Sequence, residues 1–125
     1  MQAFAIDAAT DALRARVAAF VRERIVPLEA LHANDDGHGN LRLDVLEALR
    51  ADVKAAGLWA PQLPRACGGL GLTMRALVPV YEAMGGSIYG PVAFNSAAPD
   101  DGNMRVLWQA ATDAQKARWL APIAS

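Results

Sequence analysis

The sequence predicts an all-α fold, and three observations support this prediction. Apolar residues recur mostly at steps of three and four, as expected for the buried stripe of a helix, and the first stripe consists of Leu13, Val17, Phe20, Val21, Leu28 and Leu31. No segment alternates apolar and polar residues with the period of a strand. Helix-capping residues stand directly before several of the periodic stretches. We therefore expect one domain, residues 1–125, built as a bundle-like packing of helices around a single core.

The first helix is predicted to begin near Asp7 or Thr10, because either side chain can accept hydrogen bonds from the free N–H groups of a first turn. Pro27 lies inside the apolar pattern and should kink this helix or end its first part. The polar segment 32–40 contains two glycines and predicts a loop.

A second helix is predicted from about Leu43 to Ala56, and Gly57 stands where a left-handed C-terminal cap belongs. The stretch GLWAPQLPRACGGLGL at positions 57–72 contains two prolines and four glycines, and we name it the Pro/Gly connection. Such a composition indicates stiff, irregular backbone between two helices. The apolar stripe predicted for the second helix consists of Leu43, Leu46, Leu49 and Val53.

Thr73 is the predicted N-cap of a third helix, which Gly85 and Gly86 end. Pro79 lies within this helix, so we expect a bend in its first turns. The predicted inner face consists of Met74, Leu77, Val78, Tyr81 and Met84.

The remainder of the chain is predicted to be more broken. A short helix follows from Pro91, a turn occupies 99–102, and a further helix covers about 104–111. Thr112 and Gln115 have the spacing of a capping box that starts a final helix.

Composition excludes several classes of function. The net charge is −1, from 12 basic and 13 acidic residues, which gives no electrostatic basis for binding nucleic acid or an anionic membrane. No apolar stretch approaches the roughly 20 residues of a membrane-spanning helix. Cys67 is the only cysteine, so no intrachain disulfide can form, and we expect a reducing, cytoplasmic location.

Motifs that suggest metal or phosphate chemistry are better explained by local structure. The histidines and aspartates of segment 32–40 match neither a zinc spacing nor a calcium loop, so no metal is expected. Gly69 and Gly71 lack the third glycine of a dinucleotide fingerprint, since Met74 occupies its position, and no strand precedes them. We interpret these glycines as a requirement of backbone geometry.

Isolated reactive side chains also have simple structural explanations. Cys67 is interpreted as a small, partly buried loop residue, because neither histidine is near it in the sequence, and only the fold could bring one close enough for a nucleophile. Glu82 is interpreted as an exposed or paired helix carboxylate, because nothing in the sequence would tune its pKa for proton transfer. The aromatic residues are expected to pack in the core, with Trp59 in the Pro/Gly connection as the one most suited to a binding surface.

Three segments together resemble the acyl-CoA dehydrogenases, flavin enzymes that oxidise acyl thioesters. They are the Pro/Gly connection, VYEAMGGSIYGPVAFNSAAPDD at 80–101 and TDAQKARWLAPIAS at 112–125. The motifs YEAMGGSIYGP and AFNSAAPDDGN are most similar to the branch that includes mammalian family members ten and eleven. The resemblance covers nearly the whole chain and places it in the N-terminal helical domain of the family.

The resemblance implies an enzymatic function to which this chain contributes one of three domains. Family enzymes add a middle β domain and a C-terminal helical bundle, hold FAD between those two, and catalyse α,β-dehydrogenation of acyl-CoA. The catalytic base and the flavin-contacting β segment lie outside this chain. We therefore expect a truncated chain that walls the acyl pocket, covers the flavin site, and alone neither binds FAD tightly nor turns over substrate.

The resemblance also implies candidate residues for the acyl pocket. Phe94 would supply apolar surface, Ala98 would leave room for an acyl tail, and Asn95 would orient a polar group or cap a helix. Tyr89 completes the set, and core packing remains open for all four. The alternative function is a free-standing helical interaction module without catalytic activity, which forms homo-oligomers through exposed apolar surface.

Overall fold

The computed structural model describes residues 5–125, and it confirms the predicted all-α class. Residues 1–4 of the predicted domain lie outside the described part. Within the described residues, β pairing is limited to a single bridge between Asp35 and Leu41. The α-helices are α1 (Ala8–Phe20), α2 (Val26–Glu29), α3 (Leu43–Ala55), α4 (Met74–Met84), α5 (Gly90–Ala93), α6 (Asp100–Ala110), α7 (Asp113–Gln115) and α8 (Ala121–Ala124). Short 3₁₀ turns occur at His32–Asn34 and Arg65–Cys67, and π-helical turns at Val21–Ile25 and Lys116–Leu120.

The predicted helix caps are present. The Asp7 carboxylate accepts hydrogen bonds from the main-chain N–H of Thr10 at 2.8 Å and from its hydroxyl at 2.7 Å. These bonds, the main-chain one first, hold the pKa of Asp7 below its ordinary value. Thr73 caps α4, and Thr112 and Gln115 form the predicted capping box at α7.

Pro27 and Pro122 are accommodated by wide helical turns. Each is the second residue of an α-helical turn that directly follows one of the π-helical turns. The main-chain N–H of Val26 donates to the carbonyl of Val21, five residues back, instead of four. Because a proline ring clashes with the carbonyl four residues before it in an α-helix, the wider turn relieves that clash. The chain therefore remains helical through Pro27, and the irregularity predicted at this proline takes the form of a π-helical turn directly before it.

The core lies where α1 packs against α4 and where the Pro/Gly connection and α5 fill the space beside α3. Phe94 is fully buried, and its ring meets that of Phe20 edge-on, with 5.6 Å between the ring centroids. Such edge-to-face contacts add to the stabilisation from buried apolar area. Other fully buried side chains include Val17, Ile25, Val53, Leu77, Val80, Met84 and Met104.

Five residues predicted to face the core are exposed. Leu31 lies beyond the end of α2 and is 58 % exposed, and Trp119 in the second π-helical turn is 52 % exposed. Leu43 and Met74 are 67 % and 63 % exposed because each is the first residue of its helix and lies beyond the packed surface. Val78 is 64 % exposed, since the buried face of α4 is centred on Leu77, Val80 and Met84. Val78 lies one residue, about 100°, away from Leu77 on that helix.

The turn predicted at 99–102 is also shorter in the structure. The Ala98–Pro99 peptide bond is cis, and α6 begins at Asp100. Two acidic residues, Asp100 and Asp101, occupy the first turn of α6, where negative charge favours helix formation. The helix expected from about Met104 therefore starts four residues earlier.

The Pro/Gly connection has the backbone geometry that its glycines predicted. Gly57 and Gly71 have φ of 67° and 65°, in the left-handed region that glycine adopts readily. At Gly69 a Cβ atom would lie 2.3 Å from the carbonyl oxygen of Leu63, so only glycine fits there without movement. The connection thereby folds tightly on itself. One of its sides, which includes Trp59, packs in the core.

Candidate functional site

The main-chain carbonyls at the end of α5 and directly after it accept hydrogen bonds from two other parts of the fold. The carbonyl of Val92 accepts two hydrogen bonds from the Arg50 guanidinium, at 3.1 and 3.2 Å. The carbonyl of Phe94 accepts one from the N–H of Ala60 at 3.0 Å. The side-chain amide of Gln62 donates to the carbonyl of Asn95 at 2.7 Å. Helix α3 and the Pro/Gly connection therefore fix this segment.

Asn95 has an unusual backbone conformation, with φ of 57°, and its side chain is buried. Asparagine is among the residues that tolerate this left-handed region. Its Nδ2 donates to the main-chain oxygen of Ile123 at 2.9 Å and lies 3.7 Å from the sulfur of Met104. Asn95 thus joins the end of α5 to the C-terminal helix α8.

The structure does not gather the four candidate pocket residues into one cavity. Phe94 and Asn95 are adjacent and buried, at 0 % and 4 % exposure, and Ala98 is exposed nearby in the chain. Tyr89 is also buried, at 5 % exposure. None of the four lines any of the three cavities described below.

Tyr89 lies in a separate, acidic environment. Burial, followed by the nearby charge of Asp35 and then Glu29, raises the pKa of the Tyr89 hydroxyl above its ordinary value. The Tyr89 N–H donates to the Ser87 hydroxyl at 3.2 Å, and that hydroxyl donates to the Glu29 carboxylate at 2.5 Å. Tyr89 is thus linked through Ser87 to α2, and its hydroxyl lies near Asp35 in the polar loop after that helix.

A cavity of 690 Å³ lies between the Pro/Gly connection and the C-terminal helices. Two tryptophans, Trp59 and Trp108, and two lysines, Lys54 and Lys116, contribute to its lining together with Cys67. The remaining lining is mostly alanine, glycine and leucine. Sequence reasoning singled out Trp59 and missed this cavity, because its walls come from four widely separated parts of the chain.

Each lysine of the cavity stands over an indole ring. The Lys54 nitrogen is 4.3 Å from the Trp59 ring centroid, and the Lys116 nitrogen is 5.0 Å from that of Trp108. These distances are within the range of cation–π attraction. No aspartate or glutamate side chain is among the residues that line the cavity. The cavity therefore combines mostly apolar walls with two cationic side chains.

The fold also contains two smaller cavities and one buried polar pair. A cavity of 380 Å³ lies between the start of α1 and α4, and one of 210 Å³ lies between the Pro/Gly connection and α6. The hydroxyl of Tyr81 and one carboxylate oxygen of Asp101 are buried and have no hydrogen-bond partner among residues 5–125. Burial, then the Asp101 charge, raises the pKa of Tyr81.

The remaining candidates agree with their structural interpretations. Cys67 is half-buried in a 3₁₀ turn, and Glu82 is exposed on α4. Across residues 5–125, no group of three acidic, histidine or cysteine side chains is placed to hold a metal ion. In the same residues no helix is long and apolar enough to cross a membrane.

Comparison with known proteins identifies the family. The family described as "Acyl-CoA dehydrogenase, N-terminal domain" matches residues 7–125 of this sequence. A solved structure described as an acyl-CoA dehydrogenase from Mycobacterium abscessus is 34 % identical and superposes with a TM-score of 0.82. That match covers 96 % of this chain and 32 % of the solved one. The chain belongs to the acyl-CoA dehydrogenase family and corresponds to its N-terminal helical domain.

Curated relatives lie in the branch that the motifs indicated. Acyl-CoA dehydrogenase family member 10 of Mus musculus is 35 % identical over 111 residues, which span 83 % of this chain and 10 % of the relative. Family member 11 of Gallus gallus is 36 % identical over 115 residues, which span 86 % of this chain and 14 % of the relative. The chain thus spans only a small part of the length of these curated relatives.

Proposed function

We propose that this chain serves as the N-terminal helical domain of an FAD-dependent enzyme that performs α,β-dehydrogenation of acyl-CoA thioesters. The observation that carries the proposal is the family match over residues 7–125, together with the agreement of the fold with a solved relative. In this proposal the domain walls the acyl pocket and covers the flavin site. The middle β domain and C-terminal helical bundle of the family are its partners.

The described residues do not fit FAD by themselves. FAD carries a pyrophosphate and many hydroxyl groups, which require a correspondingly large set of polar partners. The lining of the 690 Å³ cavity offers Lys54, Lys116 and Ser125 as its main polar side chains, and most of the rest is apolar. We therefore propose that other polypeptide holds the flavin, and that the 125-residue chain alone neither binds FAD tightly nor is active.

Among the four pocket candidates, we propose different roles according to exposure. Ala98 is exposed and small, so it would leave space for the acyl tail. Phe94 and Asn95 precede it by four and three residues in the chain and are buried, so they would position the wall rather than touch the tail. Tyr89 would support the same wall from the side that faces Glu29.

A chimeric enzyme tests the proposed role. The corresponding first third of the Mycobacterium abscessus relative is replaced by this chain, and bound flavin and reduction of an artificial electron acceptor by acyl-CoA are measured. We expect bound flavin and turnover from the chimera, and neither from the 125-residue chain alone. A folded chimera that binds flavin but never reacts with any acyl-CoA, while the parent relative does, would contradict the proposal.

The pocket role of Ala98 is tested in the same chimera. Ala98→Phe should lower kcat/KM for long acyl chains more than for short ones, since a bulky side chain would occupy the space of the tail. Ala114→Phe, at another exposed alanine on α7, is the matched control and should leave kcat/KM for long and short acyl chains unchanged. Equal effects on all chain lengths would remove Ala98 from the pocket.

Self-association is the competing function, and exposed apolar side chains favour it. Trp119, Ile88 and Leu31 are 52 %, 71 % and 58 % exposed, among several large apolar residues on the described surface. Light scattering of the purified chain over a range of concentrations distinguishes the two functions. A monomer at all concentrations removes this alternative, and a stable homo-oligomer supports it.

A further inference from the structure

We propose that the 690 Å³ cavity between the Pro/Gly connection and the C-terminal helices binds an amphipathic organic anion, with an apolar tail and one negatively charged head group. The proposal is independent of the acyl pocket, since none of Tyr89, Phe94, Asn95 and Ala98 lines this cavity. It concerns the 125-residue chain itself and requires neither flavin nor turnover.

The size and lining of the cavity match a small apolar ligand. Sites for small molecules generally occupy about 300–1,000 Å³ and are lined mainly by apolar and aromatic groups. The indole of Trp59 and the side chain of Leu120 face this space, and both are almost fully buried in the fold. Trp108 is half-exposed and forms part of the wall opposite the Pro/Gly connection. An alkyl chain would replace water against these surfaces.

The charges of the cavity select an anion. Lys54 and Lys116 come from α3 and from the second π-helical turn, and the fold brings both to one cavity. Within the described residues neither lysine forms an ion pair, and no acidic side chain lines the cavity. An ammonium group has three N–H donors, so contact with an indole face leaves donors for a carboxylate or sulfate head group.

The positions of the lysines also define how the ligand lies. Each ammonium is held over the ring of a tryptophan that forms a wall of the same cavity, at 4.3 Å for Lys54 and 5.0 Å for Lys116. A head group bound by both lysines would place its tail between Trp59 and Trp108. The tail would then extend toward the small residues Ala117 and Ala121.

The test uses the purified chain and three ligands with the same alkyl tail. Decanoate, decanol and decyltrimethylammonium, each below its micelle concentration, are titrated by calorimetry and by tryptophan fluorescence. We expect saturable, one-to-one binding of decanoate, at least about tenfold weaker binding of decanol, and no binding of the cation. Equal affinity for all three, or no binding of decanoate, overturns the proposal.

Variants locate the site. Lys54→Gln and Lys116→Gln should each weaken decanoate binding by roughly tenfold, while binding of decanol stays unchanged. Arg118→Gln is the matched control, because the Arg118 guanidinium also stands over an indole, 4.6 Å from the Trp119 ring centroid, but does not line the cavity. If Arg118→Gln weakens binding as much as the lysine variants, the site is wrongly placed.

A second pair of variants tests the space itself. Ala117→Trp should block the cavity and abolish binding, whereas Ala114→Trp, on the exposed side of α7, should not. Circular dichroism confirms that each variant is folded. Undiminished decanoate binding by folded Ala117→Trp overturns the proposal, as does a dimer that excludes decanoate in the wild-type chain.

Discussion

The indole Nε1 of Trp59 donates a 2.8 Å hydrogen bond to the main-chain oxygen of Ala124, 65 positions further along the chain. Directly beside it, Asn95 donates to the oxygen of Ile123 at 2.9 Å. The last carbonyl groups of a helix have no partner within the helix. Two consecutive carbonyls of α8 are therefore paired by buried side chains from the Pro/Gly connection and from the end of α5.

Trp59→Phe should destabilise the chain by about 1–3 kcal/mol, because the oxygen of Ala124 would remain buried without a donor. Urea denaturation followed by circular dichroism measures the change. Trp119→Phe is the control, since Trp119 is 52 % exposed, and it should change stability by no more than about 0.5 kcal/mol. Equal effects of the two substitutions would show that the bond to Ala124 contributes nothing.

Two substitutions at Asn95 separate its side chain from its backbone. Asn95→Gly and Asn95→Ala both lose the bond to Ile123, but alanine must also adopt the positive φ. We expect the alanine variant to be less stable than the glycine variant by about 1–2 kcal/mol. The comparison uses thermal unfolding of both variants in one buffer. Equal stability would contradict the left-handed conformation.

Gly69→Ala should be strongly destabilising, by about 1–3 kcal/mol or more, because its Cβ would meet main-chain oxygen that cannot move alone. Gly102→Ala is a matched control within α6, where an added Cβ meets nothing within 4 Å. Alanine favours helix, so that variant should gain up to about 1 kcal/mol. Chemical denaturation of the two variants measures the expected loss of stability in the first and the expected gain in the second.

Acid should weaken the start of α1 through Asp7. Hydrogen bonds from Thr10 lower the pKa of Asp7 below its ordinary value of 3.8. A lowered pKa means that the carboxylate stabilises the fold above that ordinary value, and this stabilisation is lost as pH falls through the folded-state pKa. The free energy of unfolding of Asp7→Asn should consequently vary less with pH below about 4 than that of the wild type. The same dependence of the free energy of unfolding on pH in both proteins would argue against the prediction.

Alkaline titration reports on the buried pair of Tyr81 and Asp101. Burial and then the Asp101 charge raise the pKa of Tyr81 above 10.0, so stability should fall as pH rises through the unfolded-state value. In a Tyr89→Phe background, tyrosinate absorbance follows Tyr81 alone, since the chain has two tyrosines. Adding Asp101→Asn should lower the Tyr81 pKa. An unchanged pKa would show that the carboxylate does not act on the hydroxyl.

Local sequence signals predicted the ends of the helices well. Asp7, Thr73 and Thr112 cap helices as expected, and Gly57 has the left-handed conformation of a C-terminal cap. These features depend on a few neighbouring residues, so they are readable without the fold. Core prediction failed at Leu43 and the other exposed residues because burial depends on what covers each helix end and face.

Long-range features were not readable from the sequence. The bond from Trp59 to Ala124 and the joining of Lys54 with Lys116 in one cavity bring together residues separated by about half the chain. No local pattern marks such partners, because the connection and the helices between them decide the final distances. The conformation of Asn95 was likewise invisible, although asparagine is one of the residues that adopt it.

The two π-helical turns also shift the 3.6-residue spacing of apolar residues, so that a stripe predicted before each turn does not continue in register after it. Each wide turn contains more residues than the α-helical turn that it replaces, so the face presented by the following turn is rotated relative to the preceding helix. The offset differs from what an unbroken α-helix would give at Leu28 or Ile123. Pro27 and Pro122 thus mark the two points where the helix is rotated about its axis. The residues before and after each proline therefore present differently oriented faces to the core.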